Sequence, residues 1–270
     1  MPANEQLRDV LKHAVTLREV EPGIYSVLPP DDARQGTEPQ PANKQPQAYD
    51  GKGAIYDLVI ARPLYNRLVW GADVRDYAAF ARQALDASDE GWLADVGCGS
   101  LVFTHDLYTA GVTRPVVLLD RSLDMLRRAR RRLCRATGHL PENIVLVLGD
   151  ALALPFQDGA ITTVSCPGLL HLFEQPESLV RELVRVLAPG GGLYLTSLVL
   201  RPERWLSARW LGMLHRQGEV AEPLTLDELL VCLDIAGVPG GLQGFARGNM
   251  AYLTGGNSRG SPLGDSPRVT

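Results

Sequence analysis

No apolar stretch in the 270 residues approaches the ~20 needed to cross a bilayer. The opening segment MPANEQLRDVLKH lacks the apolar centre of a signal peptide. These absences point to a soluble, cytoplasmic chain with no membrane partner. Cysteine is scarce. Cys98, Cys134, Cys166 and Cys232 are too far apart for a metal knuckle and too few for a disulfide scaffold, so they read as small buried residues and no metal site is expected. A strong excess of one charge sign is missing as well: the formal net charge of -4 gives no global reason to expect a nucleic-acid partner. What the chain does have is 45% hydrophobic residues, enough for one sizeable core.

Apolar side chains are nearly absent from residues 29–50, PPDDARQGTEPQPANKQPQAYD, which cannot bury enough surface to offset ordering entropy. Residues 1–50 are expected to form an N-terminal appendage and flexible linker, with a helix over Asn4–Val15 and a short strand near Ile24–Leu28. Residues 255–270, rich in Gly, Ser and Pro, are expected to be a disordered tail. Between them strand and helix patterns alternate, which implies an α/β fold with a mostly parallel sheet and helices on both faces. The strands are expected at Trp92–Val96, Val116–Asp120, Ile144–Leu148, Ile161–Cys166 and Leu193–Leu200. A C-terminal antiparallel hairpin of Leu242–Arg247 and Met250–Leu253 follows. Helices are expected at Ala54–Trp70, Asp73–Ala87, Leu101–Ala110, Ser122–Thr137 and Glu177–Leu187, the last stopped by Pro189-Gly190-Gly191. A further helix begins at the capping box of Thr225 and Glu228.

The most informative stretch is Gly91–Gly111: a buried strand, a turn with Gly97 and Gly99, then Ser100 placed to cap a helix. Asp120 ends the next strand, where a carboxylate can accept both hydroxyls of a ribose. Glycine turn plus carboxylate points to a nucleoside ligand, held by either a nicotinamide dehydrogenase or an S-adenosylmethionine-dependent methyltransferase. A dinucleotide fingerprint wants GxGxxG, but Val102 stands at the third glycine. Asp150 with Ala151 and the LALPF turn suits an adenine amino group against an apolar wall, which favours the methyl donor.

On LADVGCGS, VVLLDRSLDML, VLGDALALPFQDG, GLLHLFEQPESLVRELVRVLAPGGGLYLTS and LTLDELLVCLDIAGV, residues 92–253 resemble a class I S-adenosylmethionine-dependent methyltransferase. The likeness is to the group that includes the ubiquinone and menaquinone biosynthesis enzymes, and it covers roughly 60% of the chain. It implies a Rossmann-like seven-stranded sheet and a methyltransferase domain over residues 51–254. It also implies S-adenosylmethionine as cofactor, S-adenosylhomocysteine as product, and a small-molecule acceptor methylated on O, N or C. By the same resemblance Asp95, Gly97, Cys98 and Gly99 hold the methionine portion, Asp120 the ribose, and Asp150 with Ala151 the adenine. Arg121 or Met125 flanks the ring, and Ser165 faces the cofactor. Two positions depart from the family pattern: Leu101 replaces a common glycine, and Ile161-Thr162 replaces the usual Phe-Asp. The Leu101 side chain stands either at the methionine end of the pocket or in the helix–sheet core.

His171, in the loop after the fourth strand, is the candidate general base, against the plainer reading of a structural histidine. Tyr49, Tyr56 and Tyr65 are candidates to cover the sulfonium by a cation–π contact, or else core residues. An insert at about 201–224 carries Trp205, Leu206, Trp210, Met213 and Leu214 on one broad helical face. There Trp205 and Trp210 are either a lid over an apolar acceptor or plain helix packing. The run RRARRRLCR raises RNA binding, but Leu123, Leu126, Ala129 and Leu133 keep helical spacing and place most arginines on a solvated face. The competing functions are RNA or protein methylation and a catalytically silent nucleotide- or partner-binding domain. The oligomeric state is not legible.

Overall fold

The central strands are short aliphatic runs because both of their faces are covered, so they show no inside–outside alternation. In the computed structural model, which describes residues 3–29, 71, 73–88 and 90–256, they are β3 (Leu93–Val96), β4 (Val116–Asp120), β5 (Ile144–Leu148), β6 (Ile161–Cys166) and β7 (Leu187–Leu198). They pair in parallel in the order β5-β4-β3-β6-β7. Among the described residues the sheet has nine strands where seven are expected. The hairpin β8 (Leu242–Arg247) and β9 (Met250–Gly256) adds antiparallel to β7, as the alternation of its residues suggests. The two additional strands, β1 (Arg18–Glu21) and β2 (Ile24–Ser26), form an antiparallel pair, and β2 lies parallel to β5. The segment expected as an N-terminal appendage is thereby tied into the central sheet. Its helix α1 (Ala3–Val10) is shorter than the expected Asn4–Val15 and buries Leu7, while Leu11 bridges to Phe156.

Two local differences from expectation have a steric origin. Pro189-Gly190-Gly191 does not separate α5 (Pro176–Val186) from β7 as expected but lies within the strand. Leu187 pairs with Ile161 and Gly192 with Thr163, so the residues between bulge outward. A Cβ on Gly191 would sit 2.7 Å from the Thr162 carbonyl, so only glycine lets the bulge close against β6. The helix expected at Leu101–Ala110 is reduced to α3 (His105–Thr109), because Leu101 adopts a left-handed φ of 56° that no right-handed helix contains. Thr104, not Ser100, is the residue before its first turn, and it makes no side-chain cap.

The remaining helices follow their sequence signals. In α4 (Leu123–Thr137) the Ser122 side chain accepts from the Met125 N–H, Gly138 ends the helix at φ 80°, and Leu126, Ala129 and Leu133 are buried. Its arginines are engaged on that outer face: Arg127 with Glu21, Arg130 with the Pro22 carbonyl, Arg128 with Asp124 and Arg132 with the Ser100 carbonyl. Helix α2 (Val74–Asp86) starts at Asp73, whose carboxylate accepts from Arg75 N–H, and buries Phe80 against Tyr194 and Tyr252. Helix α5 (Pro176–Val186) buries one apolar stripe, and α7 (Leu226–Asp234) carries the expected Thr225–Glu228 capping box. At the amino ends of the strands Arg114, 4% exposed, donates to the Ser88 and Gly91 carbonyls and to the Thr162 and Thr163 hydroxyls, tying α2, β3 and β6 together. The helix expected over 54–70 and the candidates Tyr49, Tyr56 and Tyr65 lie outside the described residues.

Candidate active site

In an open sheet whose strand order runs outward in two directions from the centre, the ligand crevice forms at the carboxyl ends of the strands near the reversal. Here that point lies between β3, which is followed by neighbours β4 and β5 on one side, and β6 on the other. The ends of these four strands bring Asp95, Gly97, Cys98 and Gly99 together with Asp120, Asp150, Ala151 and Ser165.

The turn after β3 is built by backbone hydrogen bonds. Gly97 and Cys98 N–H groups both donate to the Leu119 carbonyl, at 2.8 and 3.1 Å. Gly97 (φ 73°) and Gly99 (φ 57°) take conformations that other residues adopt only with strain. They differ in surroundings. A Cβ on Gly97 would meet Leu169 Cδ2 at 2.8 Å, whereas nothing lies within 4 Å of one on Gly99, so that face of the turn is open to a ligand. Leu101 is 2% exposed and packs with Leu93, Cys98, Tyr108, Leu118 and Leu126. Of its two alternatives, the side chain takes the helix–sheet core and leaves the turn unobstructed.

Asp95 is 2% exposed and carries two different oxygens. Oδ2 accepts from the Tyr108 hydroxyl at 2.5 Å, while the buried Oδ1 has no hydrogen-bond partner among the described residues. Burial, with the nearby charge of Asp120 adding to it and the Tyr108 bond opposing it, pushes the carboxyl up to about 7. Asp120 is held from both sides: Oδ2 accepts from Gly99 N–H and Oδ1 from Ser122 N–H, each at 2.8 Å. These two amides fix the orientation of the carboxylate at the carboxyl end of β4. Asp150 accepts from Leu152 N–H at 2.9 Å and pairs with Arg121 at 3.1 Å. Met125 is buried at the start of α4, and Cys98, Ala151 and Ser165 are buried around the crevice. Burial raises the Cys98 thiol, and no catalytic thiolate is expected there.

His171 lies in the single 3₁₀ turn Leu170–Leu172, immediately past Leu169. Its Nδ1 accepts from the Leu198 N–H at 3.3 Å, and burial lowers the ring's pKa to about 4. A neutral ring with a lone pair at Nδ1 carries its proton on Nε2, which is a donor. His171 lines a shallow, open cleft together with Leu170, Phe173, Ser197, Leu211 and Leu224. Helix α6 (Trp205–Arg216) reaches the cleft through Leu211. Its buried side is Ser207 and Leu211, while Trp205 is 64% exposed and neither Trp205 nor Trp210 lines the cleft. Tyr108 and Arg114 escaped the sequence reading: each acts on an element far along the chain, which no local spacing announces. Among the described residues no group of three or more His, Cys, Asp or Glu side chains is arranged to hold a metal ion, and no helix is long and apolar enough to cross a membrane.

Residues 94–195 match the family described as a methyltransferase domain. The chain is 30% identical over 171 residues to a demethylmenaquinone methyltransferase of Parafrankia sp., covering 57% of this chain and 66% of that protein. It is 32% identical over 112 residues to an uncharacterised chloroplastic methyltransferase of Arabidopsis thaliana, covering 41% of this chain and 32% of that one. The matches thus span from a third to two thirds of these relatives' lengths. The fold is similar to that of geranyl diphosphate C-methyltransferase from Streptomyces coelicolor, solved with Mg2+, geranyl diphosphate and S-adenosyl-L-homocysteine. That likeness has a TM-score of 0.51 at 16% identity, and covers 66% of this chain and 75% of the other. With the strand order, the glycine turn and the carboxylates at the ends of β3, β4 and β5, these matches make the chain a member of the class I S-adenosylmethionine-dependent methyltransferase family.

Proposed function

We propose that the protein transfers a methyl group from S-adenosylmethionine to a small, largely apolar acceptor. One observation carries the reading: three carboxylates converge with a glycine turn whose Gly99 face is open. The residues fit the cofactor. The unpartnered Asp95 Oδ1 suits the cationic methionine end, the amide-clamped Asp120 a ribose diol, and Asp150 beside the apolar Ala151 an adenine amino group. When bound, the cofactor supplies an electrophilic methyl group on a sulfonium. The chain's own contribution is alignment and dryness, which for an in-line displacement is most of the catalysis available.

The cleft beside His171 is the acceptor site in this reading. Leu169 packs on Gly97, and the next two residues line the cleft, so one short loop joins the turn to the acceptor wall. The walls are mostly aliphatic, which favours an apolar body. His171 is a donor through Nε2–H, orienting an oxygen or nitrogen of the acceptor, in place of the general base its position first suggests. The demethylmenaquinone methyltransferase of Parafrankia sp., to which the chain is similar, supports a small-molecule acceptor. Titration with S-adenosylhomocysteine tests the cofactor half: saturable one-to-one binding is expected, and its absence would remove the enzymatic reading. For the acceptor half, Leu211→Arg should abolish methylation of an apolar phenol while leaving cofactor affinity intact. Full activity in that variant would place the acceptor elsewhere.

A further inference from the structure

Asp95 is an acid buried with half of its hydrogen-bonding capacity unused, and the groups around it make ionisation of the empty site unfavourable. On its own strand end it faces the Cys98 thiol, on α3 the Tyr108 hydroxyl, on β4 the Asp120 carboxylate, and on β6 the Cys166 thiol. Tyr77 of α2 interacts with Tyr108 from outside. None of these supplies a positive charge. Among the described residues only Tyr108 donates to Asp95, and it reaches one of the two oxygens.

We infer that Asp95 is a proton-exchanging anchor: an empty site holds its carboxylic acid, and a ligand presenting an ammonium group to Oδ1 binds with release of that proton to solvent. Tyr108 is the positioning residue that decides where on the pH scale this occurs. Its hydroxyl proton stays on the phenol, because burial beside Asp95 raises the Tyr108 group well above its usual value. The balance is simple. The carboxylic O–H bond breaks, the proton leaves to buffer, and the ligand cation replaces it as the partner of the negative oxygen. The inference rests on the cofactor reading above, since the α-ammonium of the methionine portion is the cation in question.

Calorimetric titration of the full chain with S-adenosylhomocysteine, in phosphate and in Tris at one pH, counts the protons released per binding event from the difference in observed heat. Release should approach one proton per site near pH 6 and vanish by about pH 8.5, with the dissociation constant weakening about tenfold between pH 8 and pH 6. Asp95→Asn should abolish both the proton release and this pH dependence. Tyr108→Phe removes the donor that favours the ionised form, so release should persist to higher pH and the weakening should begin earlier. A residue that merely supported the turn would change affinity at every pH alike and leave the proton count untouched. Binding in which neither buffer nor pH matters would overturn the inference while leaving the cofactor reading standing. No binding at any pH would instead overturn the cofactor reading on which it depends.

Discussion

Leu101 offers a sharp test of the turn, because its two structural features oppose each other. Its φ of 56° is a conformation that costs a non-glycine residue about 1 kcal/mol or more. Its side chain is also fully packed between β3, β4 and α4. Leu101→Ala removes the packing and keeps the strain, which should destabilise by about 3 to 5 kcal/mol. Leu101→Gly loses the same packing and the Cβ as well, but relieves the strain. It should therefore be about 1 kcal/mol more stable than the alanine variant, reversing the order expected at an ordinary position. Urea unfolding of the two variants, extrapolated linearly to water, measures this difference directly, and equal slopes would show that the reference state is unchanged. If the alanine variant were the more stable, the left-handed conformation of the turn would be wrong. Cofactor affinity answers the second question about this residue. Tightening of S-adenosylhomocysteine binding by tenfold or more in the glycine variant would put the leucine side chain at the methionine end of the pocket, contrary to its packing.

Other consequences can be checked independently. Gly97→Ala combines backbone strain with a Cβ 2.8 Å from Leu169, and should weaken both stability and cofactor binding, the loss in each readable by thermal shift with and without ligand. Removal of the buried Arg114 clamp, as Arg114→Met, should cost about 3 kcal/mol in chemical denaturation yet leave ligand affinity of the folded fraction near normal, since the clamp lies at the opposite ends of the strands. His171 is held near a pKa of 4 by burial, whereas unfolded histidine titrates near 6.5. Below about 6.5 the unfolded state therefore binds a proton that the folded state refuses, and stability should fall by about 1 to 3 kcal/mol as pH drops from 6.5 to 4. In His171→Gln that part of the pH dependence should disappear; an unchanged profile would show that the ring is not shielded.

Much of this architecture is legible in the residues because local and global demands agree there. The runs VVLLD and IVLVL announce buried parallel strands, Ser122 and Gly138 bracket an amphipathic helix, and Thr225 with Glu228 forms the box that their spacing suggests. Misreadings fall where tertiary context overrides local signal. β1 reads REVE, a short charged edge strand with no apolar run, and it exists because its hairpin partner docks on β5. The Pro-Gly-Gly segment looks like a stop but is a bulge fitted against Thr162. In the site, the glycines and the strand-end aspartates carry their signal in spacing. Tyr108, thirteen residues beyond Asp95, meets it only after β3 and α3 pack together. The Leu198 amide that sets the state of His171 comes from a different strand and leaves no trace in the histidine's own neighbourhood.

In the proposed function the carboxyl ends of β3, β4 and β5 form one cofactor site, with Asp120 at its ribose end. Equilibrium titration of S-adenosylhomocysteine against the native chain and Asp120→Ala at pH 8 tests it most directly. One site per chain is expected, with a ten- to hundredfold weaker dissociation constant in the variant, the loss of about 1.5 to 3 kcal/mol of charge-assisted hydrogen bonding. Equal affinity in a variant that remains folded would contradict it.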